Sequence, residues 1–597
     1  MENRDQTTLC NESKSHLQEA AKHFVAENNG DHFLISAQEC LENGHQEALL
    51  EVLRDPDNAE LLGFVGWDLA KMVFQFLPDN CRKLENSDTH KTLLYFICNS
   101  CNPREICLSL NEILSQELHW EKLVMLSNLL SITCSRLKGK VANILLSIFR
   151  SIQKCLRNRN DVVEQEAILE NTLEFVSTLF KKIPNKFEEL SDDAKLLKDG
   201  LLSFLISLLE HPFALLEFNV SSENKEEHFT KNETFAITIL KFLGILENGS
   251  LKRLFEYGLH HESKAQTDVE SSDDDVDGLS FLGIGCLSFL THVQGIGAEF
   301  VPVVTTGKYS LDTNMIYINA LLCFNDAKVI SKGLRLLIAI SNLIVTNTLD
   351  HCYIDNREFL ALFTNMRNLM IHSEDLEIRQ ESAKGFRNIL NLLNPRGRYR
   401  LLRTLHQGEI QSGFAELLIL ILKDEIARSL SNSVGDSWFL GGYLESFLLE
   451  NIFKIPSKAL QSEFGVIEHC NGLLSGLNLL RFLLIRDDEN KTTIHTIFPK
   501  LEDSYLKQLR NIVELSRAKI GVLIQEKQQE RKKGVAAQKT ATDETTFNVT
   551  TPDGSKLEQG SLQEQLEMLE SACLTLDMIE SVLARIGEIY DDKRTKM

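Results

Sequence analysis

Apolar residues recur at intervals of three and four along almost the whole chain, and strand-like alternation of any length is missing. This spacing places apolar side chains on one face of a helix, so it predicts helix after helix. Short turns rich in Asn, Asp, Gly and Pro separate the segments, for example at residues 42–45 and 55–58. Ten prolines and 31 glycines in 597 residues are few, in agreement with a nearly all-helical chain.

A helical chain of this length must bury many apolar faces at once. Stacking helix pairs into a solenoid achieves this, because each pair then needs to contact only its neighbours. We therefore predict an all-α fold, namely an irregular HEAT- or armadillo-like helical-repeat solenoid in two halves. No clean repeat stands out in the sequence, so a compact array of helical bundles is the alternative.

The clearest helix lies in residues 561–590. Its apolar positions fall on one face: Leu562, Leu566, Leu569, Cys573, Leu576, Ile579, Leu583, Ile586 and Tyr590. The other face is acidic, and Arg585 is the only base between Leu562 and Asp592. We predict that the apolar face caps the end of the solenoid and that Glu588 pairs with Arg585 on the surface.

Two polar segments divide the chain. Residues 262–278 are acidic and nearly free of apolar side chains, and residues 532–560 are polar, so we predict both to be disordered. The predicted organisation is an N-terminal helical-repeat half at 1–261, the acidic linker at 262–278, a C-terminal helical-repeat half at 279–531, a disordered loop at 532–560 and a capping helix at 561–597. Ser271 and Ser272 precede three aspartates, so the linker is either a target of acid-directed kinases or an unmodified loop.

The net charge is −22, because 63 Lys and Arg stand against 85 Asp and Glu. Nucleic acid and anionic membranes repel such a chain, so we expect neither as a partner. A basic patch on a protein partner fits this charge, although solubility alone explains it equally well. We expect neither a signal peptide nor a membrane span. Thirteen cysteines in apolar helical segments indicate reduced thiols, which favours the cytoplasm, with the nucleus as the alternative.

No catalytic motif emerges from the sequence, and its glycine-containing segments lack the full pattern of a nucleotide-binding loop. The best metal set by residue type comprises His90, Cys98, Cys101 and Cys107. The three-residue spacing of Cys98 and Cys101 is, however, also that of two core thiols on one helix face. We therefore expect a protein without enzymatic activity, cofactor or metal.

Trp438 and Phe439 lie in a turn, where large aromatic side chains are less expected. One interpretation is that Trp438 anchors the loop. The other is that it is an interface aromatic, since Trp is frequent at binding hot spots. The bases Lys423, Arg428 and Arg486 can pair with carboxylates of a partner, although bases on helix surfaces are more often solvated.

Eight segments spread along the sequence resemble the glomulin family of all-helical, HEAT-like proteins. They are ENGHQEALLEVL (42–53), GWDL (66–69), CNPRE (101–105), FLTHVQGI (289–296), VISKGLRLL (329–337), SLSNSVGDSWF (429–439), SGLNLLRFLLIRDDEN (475–490) and LDMIESVLARI (576–586). None of them is a catalytic signature. The resemblance rests on their order and spacing, and the last two segments are the closest.

The resemblance implies a non-enzymatic inhibitor of cullin-RING (SCF-type) ubiquitin ligases. Such a protein binds the RING domain of the RING-box subunit and masks the surface that receives the ubiquitin-conjugating enzyme. The family's C-terminal half makes that contact, so the implied partner-binding residues are Lys423, Trp438, Arg486 and Arg585. Lys423 and Arg585 are expected as exposed bases on helices. An immunophilin and a receptor tyrosine kinase are further implied partners, and a generic helical-repeat scaffold or adaptor is the alternative function.

Overall fold

The structure, a computed structural model, is helical over most of its length. It describes residues 2–27, 29–79, 81, 89–159, 161–180, 191–218, 230–261, 278–301, 306–408, 410–431, 437–457, 464–537, 549–550, 556–557 and 562–595. Ser271 and Ser272, residues 262–277 of the predicted acidic linker and most of the predicted loop at 532–560 lie outside this part.

The helices fall into two compact units, and unit 1 comprises residues 1–344 and 374–385. Its helices are α1 (Glu2–Glu27), α2 (Asp31–Glu42), α3 (Gln46–Arg54), α4 (Ala59–Gln75), α5 (Thr89–Ser100), α6 (Pro103–Leu114), α7 (Trp120–Arg136), α8 (Ala142–Arg157), α9 (Val162–Phe180), α10 (Asp192–Glu210), α11 (Lys231–Leu246), α12 (Lys252–His261), α13 (Phe281–His292), α14 (Gly307–Leu322) and α15 (Ala327–Asn342).

Unit 2 comprises residues 345–373 and 386–597. Its helices are α16 (Arg357–His372), α17 (Leu376–Leu392, shared with unit 1), α18 (Pro395–Leu405), α19 (Ser412–Ser431), α20 (Gly441–Phe447), α21 (Gly465–Glu468), α22 (Cys470–Arg486), α23 (Ile494–Leu501), α24 (Lys507–Ala537) and α25 (Leu562–Arg594). The π-helical turns Leu448–Ile452 and Glu502–Leu506 follow α20 and α23. Two short strands, β1 (Val549–Thr550) and β2 (Lys556–Leu557), pair antiparallel.

Most helices of unit 1 pack chiefly against their nearest and next-nearest neighbours in the sequence; α6, for example, contacts α4, α7 and α8. Helix α10 is an exception, because it contacts α13 as well as α8 and α11. The sequence of α8 shows the reason: its apolar residues recur every three or four positions and form one buried face, which consists of Leu145, Ile148, Phe149, Ile152 and Leu156. This neighbour-to-neighbour packing is the helical-repeat arrangement that the sequence predicts.

Local signals in the sequence set the helix ends. Asn102 caps α6, because its side chain accepts a hydrogen bond from the Arg104 N–H at 3.1 Å. Pro103 occupies the first turn of α6, where a missing N–H costs nothing. Asn394 caps α18 in the same way by accepting from the Gly397 N–H at 2.7 Å. These caps explain why new helices begin directly after short turns.

A ladder of aromatic rings forms the core of the first part of unit 2. The rings contact one another in chain order with centroids 5.1–5.8 Å apart and in edge-to-face geometry, and they belong to Tyr353, Phe359, Phe363, Phe386 and Phe414. They connect α16, α17 and α19, so these helices share one core.

The all-α, helical-repeat prediction is confirmed. The predicted organisation into halves at 1–261 and 279–531 stays a prediction. Tyr317 of α14 donates to the Leu254 carbonyl (3.0 Å) and accepts from the Gly258 N–H (2.8 Å), both in α12. Helices on both sides of the predicted linker therefore belong to unit 1. Among the described helices, none combines the length and the apolar character that a membrane span needs.

Candidate partner-binding surface

The helix predicted as a cap, α25, packs against α22 and α24 of unit 2. Its apolar residues are buried on the face that the sequence predicts, at Leu566, Leu569, Ala572, Leu576, Ile579, Leu583, Ile586 and Ile589. Two details differ: Cys573 and Tyr590 are only half-buried, and the neighbouring Ala572 and Ile589 are buried with that face. The side chain of Leu562 lies outside the described part.

Arg517 of α24 ties the middle of α25 to unit 2. Its guanidinium forms ion pairs with Asp577 (2.6 Å) and Glu580 (2.9 Å). The hydrogen bond to Asp577 is the largest cause of a raised pKa of this guanidinium, and Glu580 adds to it. Asp577 and Glu580, two acids of the predicted acidic face, therefore anchor α25 to α24 and are already engaged within the protein.

A second set of contacts holds the last turns of α25. Lys593 forms an ion pair with Asp488 (2.5 Å) and donates to the Ile485 carbonyl (3.3 Å). The hydrogen bond from Lys593 is the main cause of a lowered pKa of the Asp488 carboxyl. The Tyr590 ring stacks on Phe498 of α23 with centroids 3.8 Å apart. These contacts place the end of α25 beside the loop that follows α22.

Arg585 is exposed on α25 and forms the predicted pair with Glu588 at 2.7 Å. The side chains of Arg585 and Glu588 are 60 % and 62 % exposed. An ion pair in such contact with water contributes only ~0–1 kcal/mol to stability. Arg585 can therefore exchange Glu588 for another carboxylate at little cost.

Lys423 differs from its expected setting. It is half-buried on α19, and its ammonium lies 5.4 Å from the centre of the Phe482 ring of α22. The prediction of an exposed base is wrong in this respect, because α19 and α22 pack together and bring the ammonium over the ring of Phe482. A substitution of Lys423 therefore changes packing as well as charge.

Arg486 is the exposed last residue of α22. The next residue, Asp487, is buried, and its carboxylate accepts hydrogen bonds from the N–H groups of Lys491 (2.8 Å) and Thr492 (2.7 Å). The Asp487 carbonyl lies 3.0 Å from Nε2 of His495. These hydrogen bonds order the turn after α22, which directly follows Arg486.

Trp438 is half-buried in the 3₁₀ turn Ser437–Phe439. Its ring lies 4.5 Å from the ring of Tyr443 and 5.6 Å from that of Tyr399. The Arg396 guanidinium lies 5.3 Å from the centre of the Trp438 ring. These are the contacts of a loop anchor, yet Tyr443 remains 50 % exposed. Both interpretations of Trp438 are therefore compatible with its surroundings.

The four implied residues all lie in unit 2 but not in one cluster. Lys423 lies on α19, Arg486 on α22 and Arg585 on α25, and α22 contacts both other helices. The turn of Trp438 contacts α19 as well as α18 and α20, and the Trp438 ring belongs to the aromatic group of α18 and α20. The part of each residue in partner binding stays a prediction.

A buried ion pair holds α18 against α19, and it was not expected. Arg398 and Glu425 are 5 % and 2 % exposed, and Nε of Arg398 lies 3.1 Å from a Glu425 carboxylate oxygen. Arg428, one of the candidate partner bases, also contacts Glu425 at 2.5 Å, so it is engaged within the protein. One signal points to this pair: Glu425 follows Leu422 and Leu418 by three and seven residues, on the apolar face of α19.

The candidate metal cysteines are core thiols. Cys98, Cys101 and Cys107 are buried, and burial raises the pKa of the Cys98 thiol to about 12 and that of Cys101 to about 11. In the described ranges, the one group of three side chains whose ligand atoms lie within 4.8 Å of one another consists of the consecutive residues Asp350, His351 and Cys352. We assign no metal to this surface group.

Comparison with known proteins relates the whole chain to one family. The model of an uncharacterised protein family, described as YAP/Alf4/glomulin, matches residues 18–572. Glomulin from Homo sapiens is 28 % identical over 582 residues, which cover 94 % of this chain and 93 % of that protein. Glomulin from Mus musculus is 27 % identical over 607 residues, which cover 96 % of this chain and 95 % of that protein. The chain belongs to the YAP/Alf4/glomulin family.

Proposed function

We propose that this protein inhibits cullin-RING (SCF-type) ubiquitin ligases. It binds the RING domain of the RING-box subunit and masks the surface that receives the ubiquitin-conjugating enzyme. The observation that carries the proposal is the match to two glomulin relatives over 94 % and 96 % of the chain. The function itself comes from the resemblance to that family.

Inhibition by masking requires no chemistry from the inhibitor. It requires area, complementarity and overlap with the site of the competing enzyme, and a stable interface buries ~1,600 Å² in total. Stacked helices such as α19, α22 and α25 offer a surface of this kind. The net charge of −22 favours a partner with a basic surface around such a contact.

Arg585 is the residue that we expect to contribute most. It is exposed, and its surface pair with Glu588 is weak, so a carboxylate of the RING domain can replace Glu588. Breaking a desolvated charge pair at an interface costs ~2–5 kcal/mol. Lys423 should contribute less, because its ammonium already contacts the Phe482 ring.

A reconstituted ubiquitin-transfer assay tests the function. A purified cullin–RING-box complex receives charged conjugating enzyme, and the wild-type protein is titrated into the mixture. We expect inhibition to be complete when the protein is equimolar with the complex. We also expect a larger excess of conjugating enzyme to relieve it, as competition requires. Absence of inhibition by the wild-type protein would remove the proposed function.

Matched variants test the site assignment separately. Arg585→Ala should weaken inhibition at least tenfold, which is ~1.4 kcal/mol, and Arg54→Ala, at an exposed position of α3, should not. Lys423→Glu should also weaken inhibition, with Lys22→Glu on α1 as its charge-matched control. Circular dichroism and thermal melting establish that each variant is folded. Unchanged inhibition by both Arg585→Ala and Lys423→Glu would discard the site but not the function.

A helical-repeat scaffold or adaptor is the second candidate function. The neighbour-to-neighbour packing of unit 1 supports it, since stacked helices commonly bind partners on extended surfaces. Affinity capture with identification of the bound proteins separates the two functions. Recovery of RING-box and cullin subunits supports the inhibitor, and recovery of other partners without them supports the adaptor. An immunophilin or a receptor tyrosine kinase, which the family resemblance also implies, does not separate the two functions. Both functions place the protein in the cytoplasm or the nucleus.

A further inference from the structure

The outer face of α25 carries a regular stripe of exposed side chains. Its positions recur at alternating steps of four and three residues, which place them on one line along a helix. We call this stripe the seam, and it consists of Glu567, Ser571, Leu574, Met578, Ser581 and Arg585. All six side chains are exposed, whereas the buried face of α25 lies at other positions, such as Leu576 and Ile579.

The centre of the seam is apolar although it faces water. Leu574 and Met578 are 65 % and 52 % exposed, so no described part of the chain covers them. They lie four residues apart and are therefore neighbours on the surface of the helix. Polar and charged side chains follow on both sides of them along the seam. An apolar centre with a polar rim is the arrangement of a protein interface.

The order of residues in the seam is complementary to that of a second, antiparallel copy. A two-fold axis at the level of Leu576 brings Leu574 opposite Met578 of the second copy, and Met578 opposite its Leu574. The same axis brings Ser571 opposite Ser581 on either side of this apolar centre. An interface in which both copies use the same patch is isologous, and most protein dimers are of this kind.

The charged ends of the seam select the antiparallel arrangement. In it, Arg585 of each copy meets Glu567 of the other, so opposite charges face each other at both ends. In a parallel pairing each residue would face its own equivalent, and like charges opposite each other are destabilising. Beyond the seam, Glu564 would lie opposite Glu588 of the second copy. Arg585 lies 2.7 Å from Glu588 and offsets its charge there.

The ends of the seam can change partners at little cost. In the single copy, Arg585 pairs with Glu588, and the Glu567 carboxylate accepts a hydrogen bond from the Gln563 amide at 2.9 Å. Both contacts are exposed and lie within about one turn of α25, so they contribute little to stability. The helix itself is already fixed, because Arg517 ties its middle to α24. A second copy therefore meets a preorganised surface.

We propose that two copies of this protein form a symmetric dimer through their seams, with the two α25 helices antiparallel. Leu574 and Met578 of both copies form the apolar centre, and Arg585 of each copy binds Glu567 of the other. One helix face per copy is a small contact, so it belongs to the class below ~1,200 Å² in total that contains weak and transient complexes. We therefore expect a reversible dimer with a dissociation constant in the micromolar range.

The dimer and the proposed RING contact compete for Arg585. A copy whose Arg585 binds Glu567 of the other copy cannot offer the same side chain to a RING domain. The fraction of the protein that is able to inhibit should therefore fall as the dimer forms. This consequence rests on the proposed function, whereas the dimer itself does not.

Sedimentation velocity of the full chain at ~1–200 µM tests the dimer in the absence of a ligase. We expect the average mass to rise with concentration from one chain towards two. Leu574→Asp places a charge in the apolar centre and should weaken the dimer at least about tenfold. Leu515→Asp, at a 58 % exposed position of α24 outside the seam, is the matched control and should leave the dimer unchanged.

A charge exchange tests the antiparallel register. Glu567→Arg places two bases opposite each other at both ends, and Arg585→Glu places two acids there, so each should weaken the dimer at least about tenfold. The double variant restores opposite charges and should dimerise within about threefold of the wild-type protein. Glu39→Arg, at an exposed position of α2, controls for the altered net charge and should dimerise like the wild-type protein. Circular dichroism and thermal melting establish that each variant is folded.

A wild-type protein that remains a single chain at every concentration overturns the proposal. So does a dimer that Leu574→Asp leaves intact, because such a dimer forms through another surface. A double charge variant that dimerises as weakly as the single variants overturns the pairing of Arg585 with Glu567. Because ubiquitin transfer is not the readout, these outcomes leave the proposed inhibitor function untouched.

Discussion

The two units each bury a basic side chain, and they stabilise it in different ways. In the described part of unit 1, the buried base is Lys332 of α15, which is 6 % exposed. It donates to the carbonyls of Ala214 and Leu216, the latter at 2.7 Å. In the described part of unit 2, the buried base is Arg398, which faces the Glu425 carboxylate at 3.1 Å. Backbone carbonyls bind the Lys332 ammonium, whereas the Arg398 guanidinium meets a carboxylate and, in addition, the Leu393 carbonyl (2.6 Å) and the side-chain oxygen of Asn347.

Because the surroundings of Lys332 and Arg398 differ, the stability of the two sites should respond to different changes. Carbonyl dipoles and the Phe218 ring, 5.5 Å away, only partly replace water around the ammonium, and burial lowers the pKa of Lys332 to about 8. Stability at that site should therefore vary with pH. Arg398 keeps its charge at every accessible pH, so its site should depend on the presence of Glu425 instead.

Removal of Glu425 should have the largest effect. Glu425→Ala leaves Arg398 buried without its opposite charge, which should cost ~3–5 kcal/mol of the free energy of unfolding. Urea unfolding measures the loss, and hydrogen exchange assigns it to unit 2. Asp424→Ala, at the exposed neighbouring position, is the control and should cost less than ~0.5 kcal/mol. Equal losses in the two variants would contradict the special role of the buried pair.

A pH series tests Lys332. Its pKa of about 8 in the folded protein lies below the ~10.4 of an unfolded lysine. Between these values the unfolded chain binds more protons, so stability rises with pH. From pH 7 to 9, the wild-type protein should gain ~1 kcal/mol relative to Lys332→Met. Lys241→Met, at an exposed position of α11, should show no such trend. If the stability difference between the wild-type protein and Lys332→Met stays constant with pH, burial does not lower the pKa of Lys332.

An intermediate effect is expected for Arg517, because its side chain is more exposed than the buried bases and less exposed than Arg585. Arg517→Ala removes the ion pairs with Asp577 and Glu580 and should cost ~0.5–1 kcal/mol. Hydrogen exchange in α25 should become faster, because the middle of the helix loses its tie to α24. Lys519→Ala on the same helix is the control. Unaltered exchange in α25 would show that apolar packing alone holds it.

The smallest effect on stability is expected at Arg585. Its pair with Glu588 is exposed, so Arg585→Ala should change the free energy of unfolding by less than ~0.5 kcal/mol. The same variant should lose at least tenfold in ubiquitin-ligase inhibition. Thermal melting and the transfer assay measure the two quantities on one preparation. A large loss of stability would assign Arg585 to the fold rather than to a partner.

Periodicity in the sequence predicts the fold and the buried face of α25 well. Burying one face of a helix is a local requirement, and the spacing of apolar residues shows which face it is. The exposure of Lys423 is not local, because it depends on Phe482 in another helix. The predicted division at 262–278 rests on polar composition alone and stays a prediction. The contacts between α12 and α14 place the described helices on both sides of it in unit 1.

The buried ion pair and a cavity in unit 2 show what a single sequence does not reveal. His406 follows α18 and His469 precedes α22, so only the folded chain shows that both histidines line this cavity. Glu425 could have been noticed as a charge on an apolar face, but its partner Arg398 lies in the preceding helix. Long-range pairing of this kind leaves no spacing signal in a single sequence.

The return of α25 to α22 also has a consequence for how the chain assembles. Lys593 of α25 contacts the Ile485 carbonyl of α22 across 108 positions. Closing so long a loop costs more entropy and slows folding. We expect α22 and α24 to form first and α25 to dock late. Until α25 docks, the apolar sides of α22 and α24 face water, so the speed of this last step determines how long a newly made chain is prone to aggregate.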